Sequence, residues 1–269
     1  MITSYHCHSR WSDGEGEIID FVRRAGEIGL DEVGLSDHYV LMPDRTDMEW
    51  AMPLHALGDY VRTVLSAVEE FRAETTVRLG VEADFVPETA DDLREILAQY
   101  PFDYVIGSVH FLDGFPIDGG GQYWAALSEQ ERDDVIRGYW VRVRQMAESG
   151  MYDFAGHPDL TKKFGYYPSV DISDVVSDAL DAIARADMAV ELNTSGWHVP
   201  AGEEYPSPYI LGECFARGIP VLVTADAHTP ANLDRSFSRA YKLLREIGYR
   251  EVVSFDRRRR ISRPMADME

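Results

Sequence analysis

Short runs rich in β-branched and apolar residues alternate along the chain with longer segments whose apolar positions recur every three or four residues. The short runs are Ile2–His8, Glu32–Ser36, Val77–Glu82, Tyr104–His110, Phe154–His157, Met188–Asn193 and Pro220–Ala225. They have the length and composition of buried strands. The periodic segments fall at about Glu17–Ile28, Leu57–Arg72, Ala90–Gln99, Glu129–Ser149, Ser173–Ala186, Pro208–Arg217 and Leu233–Ile247. They read as helices with one apolar face. Gly29, Gly150, Gly218 and Gly248 lie just past four of them, where a left-handed cap residue is expected. Seven strand–helix units in series predict a parallel sheet, closed or doubly wound. The repeat number points to a barrel one unit short of the eightfold (β/α) barrel. No linker-like or low-complexity block interrupts the series, and Gly119-Gly120-Gly121 reads as a loop. Residues 1–269 are expected to form a single domain.

Polar residues occupy the ends of these strands in a repeating way. The ends read His6-Cys7-His8, Ser36-Asp37-His38, Gly80-Val81-Glu82, Ser108-Val109-His110, Gly156-His157-Pro158-Asp159 and Asp226-Ala227-His228. In a barrel the C-terminal strand ends converge on one mouth. Residues two apart on a strand face the same way, which pairs His6 with His8 and Asp226 with His228. One buried histidine is usually a hydrogen-bonded core residue. A whole mouth of imidazoles and carboxylates would need a separate partner for each, which a metal centre provides at once. Asp13 lies in the first strand-to-helix loop, as a ligand or as a helix cap. His55 lies away from any strand end and reads as a surface residue. His198 follows the sixth strand, as a substrate contact or a bystander.

Nine donor groups are too many for one ion. Mixed imidazole and carboxylate ligands suit zinc, iron or manganese, and with one bridging carboxylate they fit two or three divalent ions. Three such ions against ionised Asp13, Glu82 and Asp226 leave roughly +3 at the site, which attracts a phosphate dianion. Water bound there supplies hydroxide near neutrality.

Composition narrows the partners. Hydrophobic residues make up 45% and charged residues 27%, ordinary for a soluble globular protein. No apolar run approaches the ~20 residues that span a bilayer. The opening Met-Ile-Thr-Ser-Tyr-His has no basic region followed by an apolar one, so a secretory signal is not expected, and two cysteines with no disulfide framework make a cytoplasmic protein with reduced thiols the expectation. A formal net charge of −21 argues against a nucleic-acid partner. The basic run Arg257 to Arg260 reads as a solvated end. Cys7 and Cys214 make no disulfide framework. Trp140 reads as core rather than as an interface marker. The expected partner is a small phosphate ester, with no membrane. Nothing in the sequence sets the oligomeric state.

The series His6-X-His8, Asp13, His38, Glu82, His110, His157 and Asp226-X-His228 resembles the polymerase and histidinol phosphatase (PHP) family over nearly the whole chain. Gly156 to Gly165, Glu191-Leu192-Asn193-Thr194-Ser195-Gly196 and Tyr205-Pro206-Ser207-Pro208 look like its stand-alone histidinol-phosphate phosphatases. The resemblance implies a distorted (β/α)7 barrel holding up to three metal ions. It implies that His6, His8, Glu82 and Asp226 hold the first. Glu82 bridges to a second, completed by His110 and His157, and Asp13, His38 and His228 hold the third. Lys163 matches a basic position set against the phosphate. Where the family usually has an arginine, two residues after the Asn-Thr-Ser-Gly stretch, this chain has His198.

The expected reaction is L-histidinol phosphate plus water to L-histidinol and phosphate, by metal-activated hydroxide attack on phosphorus. Glu82 and Asp226 act through the metals, with His198 or a metal-bound water as proton donor, and Lys163, His198 and Trp197 contact the substrate. The segment from Tyr39 to Pro53 is expected to rise over the mouth, its Asp44, Asp47 and Glu49 meeting the substrate ammonium and Trp50 its imidazole. Three rivals stand beside this: a PHP phosphoesterase for another small phosphate ester or nucleotide, an amidohydrolase-like metal hydrolase, and a non-catalytic regulatory or nucleic-acid module. Glu82 at the third strand end, where binuclear amidohydrolases commonly place a bridging lysine, disfavours the second. The complete donor set and the acidity disfavour the last.

Overall fold

The computed structural model describes residues 1–71 and 75–267. In chain order its strands are β1 (Thr3–Ser4), β2 (Glu32–Leu35), β3 (His38–Tyr39), β4 (Thr76–Asp84), β5 (Tyr104–Ser108), β6 (Phe111–Leu112), β7 (Phe115–Pro116), β8 (Phe154–Ala155), β9 (Ala189–Asn193), β10 (Val221–Thr224), β11 (Glu251–Asp256) and β12 (Arg259–Pro264). Its helices are α1 (Ile18–Ile28), α2 (Leu57–Glu70), α3 (Ala90–Leu97), α4 (Gly121–Ala125), α5 (Glu129–Glu148), α6 (Ser173–Arg185), α7 (Pro208–Ala216) and α8 (Phe237–Ile247).

The main sheet is parallel throughout, in the order β1-β2-β4-β5-β8-β9-β10, with β3 also paired to β4. It nearly closes on itself. Cys7 forms a parallel bridge to Ala227, with His8 N–H donating to the Ala227 carbonyl at 2.9 Å and Ala227 N–H to the His6 carbonyl at 3.0 Å. The single-domain (β/α)7 barrel expected from the repeat is the fold observed. Its regular ladders are shorter than the apolar runs suggest. β8 stops at Ala155 and β10 at Thr224, and the next donors, His157 (φ 27°) and Asp226 (φ 52°), have left-handed backbone. Hydrogen bonding along the ladder is given up where the chain turns side chains into the mouth. The last helix begins at Phe237 rather than Leu233 because Ser236 (φ 64°) breaks the helical path. The expected end of α2 at Arg72 lies outside the described residues.

The barrel interior is aromatic. Tyr5, Tyr104, Ile106, Phe154, Ala189 and Leu222 cluster with Val253 and Phe255. Tyr104 is fully buried and donates to the Tyr5 carbonyl at 2.6 Å. Its ring fits because the neighbouring strands carry Gly34 and Gly80 there. A Cβ at Gly80 would lie 2.1 Å from Tyr104 Cζ, and one at Gly34 2.1 Å from the hydroxyl. Trp140 is completely buried in the outer core, and His55 is exposed ahead of α2.

The basic run Arg257 to Arg260 is largely exposed, as expected, but it is ordered in a hairpin rather than being a loose end. β11 and β12 form an antiparallel hairpin whose turn contains Arg257 and Arg258, and Val253 and Phe255 of β11 plug the barrel floor. Asp103 and Asp153 immediately precede β5 and β8, and Asp187 lies two residues before β9. Arg258 pairs with Asp153, Arg260 Nη2 donates to Asp187 at 2.7 Å, and Arg257 N–H donates to Asp103 at 3.0 Å. Two of these carboxylates thus hold the hairpin through the guanidinium groups of Arg258 and Arg260, and the third through the backbone N–H of Arg257.

Phe255→Ala removes the largest apolar group of the floor plug. A loss of about 3–5 kcal/mol is expected in urea unfolding. A loss below about 1 kcal/mol would mean that the hairpin does not close the core.

Candidate metal centre

All nine donors singled out in the sequence meet at the C-terminal mouth. They form four overlapping groups: His8, Asp13, His38 and His228; His6, Glu82 and His157; His6, His8 and Asp226; His38, Glu82 and His110. Within each group the ligand atoms lie within 4.8 Å of one another. Glu82 is completely buried at the centre. Its Oε2 lies 2.6 Å from His38 Nδ1, 3.3 Å from His6 Nε2 and 3.6 Å from His8 Nε2. Its Oε1 lies 2.9 Å from His157 Nε2 and 3.8 Å from His110 Nε2. Asp226 reaches His8 Nε2 at 3.1 Å and His6 Nε2 at 3.7 Å. Asp13 faces inward, 3.2 Å from His228 Nε2 and 3.7 Å from His38 Nε2, rather than capping a helix.

The donors fit a metal better than they fit each other. His6 Nε2, His38 Nδ1 and Glu82 Oε2 are buried without a hydrogen-bond partner despite these short approaches. Such atoms are costly in a low-dielectric interior unless something is shared between them. A divalent cation is what imidazole nitrogens and carboxylate oxygens share.

Electrostatics point the same way. Burial opposes charge on His6, but Glu191, Glu82 and Asp226 outweigh it and hold the imidazole well above its usual value. Burial likewise opposes charge on His110 and His228, yet Asp84 with Asp118 pushes the first up to about 10, and Asp13 with Asp226 pushes the second up to about 9. Burial and the neighbouring His38 and His228 drive His8 down to about 3. Burial disfavours the anions of Glu82 and Asp226, but their histidines hold both well below the usual carboxylate range. Without metal, protons occupy the places of cations.

A second layer fixes the rings. Glu191, fully buried, accepts from His6 Nδ1 at 2.9 Å, Thr224 Oγ1 at 2.8 Å and Asn193 Nδ2 at 2.9 Å. Asp84 lies 2.5 Å from His110 Nδ1. Both aim Nε2 at Glu82, the arrangement that orients metal-bound histidines. Asp37 gathers Ser9 and Ser12 through N–H and hydroxyl bonds of 2.7–3.1 Å, and so shapes the loop carrying Asp13. These three acids went unassigned in the sequence, although Glu82-X-Asp84 and Glu191-X-Asn193 carry the same two-residue spacing as the ligands.

The mouth opens into a cavity of about 380 Å³ lined on the protein side by Trp50, Asp118, Lys163, Ser195, His198 and Arg235. Lys163 is there, 3.4 Å from Asp118, whereas Lys162 is buried between Asp159 (2.8 Å) and Glu203 (2.6 Å). His198 sits exposed at the rim, its Nε2 3.0 Å from Ser236 Oγ. Trp197 is not in the mouth. Its indole donates to Glu204 at 2.6 Å, lies under Arg239, and lines a separate groove. Of the segment over the mouth, only Trp50 lines the cavity, edge-on to His38 and His110. Asp44 and Asp47 instead accept from the backbone of Thr46 and Leu54, and Glu49 is exposed. Besides the candidate ligands Asp13 and Asp226, the acid that lines the cavity is Asp118.

A parallel seven-stranded barrel with a donor cluster for divalent metal at its mouth defines a metal-centred (β/α)7 protein. Residues 4–195 match the PHP domain family, and the chain belongs to that family. It is 36% identical over 235 residues to a probable histidinol-phosphatase of Deinococcus radiodurans, covering 87% of this chain and 88% of that protein. It is 27% identical to the histidinol-phosphatase of Bacillus subtilis, covering 81% and 89%. The fold resembles the crystal structure of histidinol phosphate phosphatase from Lactococcus lactis in complex with zinc, L-histidinol and phosphate, with a TM-score of 0.83 at 21% identity over 97% of this chain and 98% of that one. Among the described residues, no helix is long and apolar enough to cross a membrane.

Two outcomes are expected. Metal ligation needs neutral imidazoles, while His110 and His228 are held at about 10 and about 9. Loading at pH 7 should therefore release protons, and apparent affinity should rise between pH 6.5 and 8.5, test values chosen across roughly the histidine range. Calorimetry of zinc binding in two buffers of different ionisation enthalpy checks this, and identical heats would refute it. Glu82→Gln should cost at least one ion per chain by elemental analysis and lower kcat by about 100-fold or more, with the far-ultraviolet spectrum unchanged. Full metal content would show that Glu82 is not shared between ions.

Proposed function

We propose that this protein hydrolyses L-histidinol phosphate to L-histidinol and phosphate at a centre of two or three divalent ions of the zinc, iron or manganese type. The observation that carries the reading is the cluster of nine donors around buried Glu82, opening on a cavity that holds both a cation and an anion. His6, His8, Glu82 and Asp226 would hold one ion, Glu82 with His110 and His157 a second, and Asp13, His38 and His228 a third. When bound, such ions supply Lewis acidity toward phosphate oxygens and activate water as a nucleophile near neutral pH. The names of the relatives in Deinococcus radiodurans and Bacillus subtilis support the same substrate.

The residues of the chain divide the work. Lys163 stands at the mouth for a phosphate oxygen. His198 is held below its ordinary value by burial, Arg235 and Arg239, so at neutral pH it enters as a neutral imidazole and is a poor source of the leaving-group proton. Burial works against the Asp118 anion, but His110 and Lys163 keep it ionised. Its carboxylate suits the substrate ammonium, and Trp50 beside it offers an aromatic face to the imidazole.

Binding energy from the substrate's ammonium and imidazole should favour the cognate ester even against a better leaving group. Histidinol phosphate is expected to give a higher kcat/KM than p-nitrophenyl phosphate. Asp118→Asn should raise KM for the first by about 10-fold or more and leave the second within about threefold, the loss of one charge-assisted contact. Steady-state kinetics on both esters decides. Equal or reversed preference in the wild type would point to another small phosphate ester.

A further inference from the structure

Arg235 lies in the loop between β10 and α8, and neither the metal cluster nor its supporting acids use it. Two contacts latch this loop to the segment after β9. Thr194 Oγ1 donates to the Arg235 carbonyl at 2.7 Å, and His198 Nε2 lies 3.0 Å from Ser236 Oγ. The latch turns the Arg235 side chain into the cavity beside Asp226 and Ser195. There its Nε is buried and has no hydrogen-bond partner, and among the described residues its guanidinium makes no ion pair. Arg24 and Arg144 also carry a buried Nε without an acceptor, but both ion-pair with nearby acids. In a chain with 47 acidic and 26 basic side chains, several other partly buried cations are matched. Arg78 meets Glu32 and Asp256, Arg217 meets Asp181 and Glu213, and Lys163 meets Asp118.

A buried N–H without an acceptor is costly, and a guanidinium more so. The cost is offset when an anion arrives that accepts from it. The planar fork presents two N–H groups to two oxygens of one phosphoryl group, which an ammonium cannot do. Lys163 already shares its charge with Asp118. We propose that Arg235 is the principal side-chain ligand of the phosphoryl group, with Lys163 secondary. The assignment rests on the phosphatase reading above, and goes beyond it in naming the group that holds the transferred phosphate.

The test uses inorganic phosphate as the probe on the metal-loaded protein. Phosphate is titrated calorimetrically into wild type, Arg235→Met, Arg235→Lys and Lys163→Met, and its inhibition of p-nitrophenyl phosphate hydrolysis is measured. For Arg235→Met, phosphate affinity is expected to fall by about 10- to 100-fold and KM to rise in parallel, with metal content unchanged. L-Histidinol inhibition should stay within about twofold, since that end of the ligand is held elsewhere. Arg235→Lys, which keeps the charge and loses the fork, should recover part of the loss. Phosphate affinity within about twofold of wild type in both Arg235 variants, or a larger loss in Lys163→Met, would overturn the assignment. If Arg235→Met does not fold, the lysine variant decides, because wild-type phosphate affinity there leaves the fork no role. A wild type that prefers no histidinol ester would count against the substrate reading alone, since phosphate titration still judges Arg235.

Discussion

Glu82 carries a negative charge with no access to solvent, and five histidines approach it within 3.8 Å. An isolated carboxylate in such a place would take up a proton or unfold its surroundings. The histidines come from the segments that end or follow β1, β2, β5 and β8, so the charge is satisfied only if those strands close into a barrel. The positive φ at His157 and Asp226, the glycines that admit Tyr104, and the acids Asp84 and Glu191 all serve that convergence. Metal ions and protons compete for the same positions, which makes this a mouth built to hold charge in transit.

The two ends of the barrel treat charge in opposite ways. At the floor, Asp153 and Asp187 are answered by the guanidinium groups of Arg258 and Arg260, and Asp103 by the backbone N–H of Arg257, so every partner comes from the chain. At the mouth the chain leaves groups unanswered: nitrogens of His6 and His38, an oxygen of Glu82, and the guanidinium of Arg235. Stability is concentrated where charges are closed, and chemistry where they are left open.

The convergence of the nine candidate donors was legible in the sequence because two simple rules act together. Strand side chains alternate, and barrel strand ends converge, so His6-X-His8 and Asp226-X-His228 announce their direction. Asp84 and Glu191 obey the same alternation, but a hydrogen-bond acceptor is recognised only once its donor is known to lie beside it. Trp197 and the acids of the loop over the mouth failed for a different reason. Their directions depend on local bonds to Glu204, Thr46 and Leu54 that no period encodes. The pairing of the basic run was not legible because its carboxylate partners lie about 70 to 155 residues away, each near the start of a different strand.

The hairpin that plugs the floor also has a kinetic meaning. The Phe255 amide donates to the Tyr5 hydroxyl across 250 residues of sequence. Until that contact forms, the aromatic interior around Tyr104 and Phe154 stands open at one end. Contacts of such separation require loop closure before they repay it, and they slow folding. A chain emerging from the ribosome can pair its first strands early, yet it must hold an unplugged apolar tube until β11 arrives. That interval is when the nascent protein has most need of a chaperone, and when its risk of association with other copies is greatest.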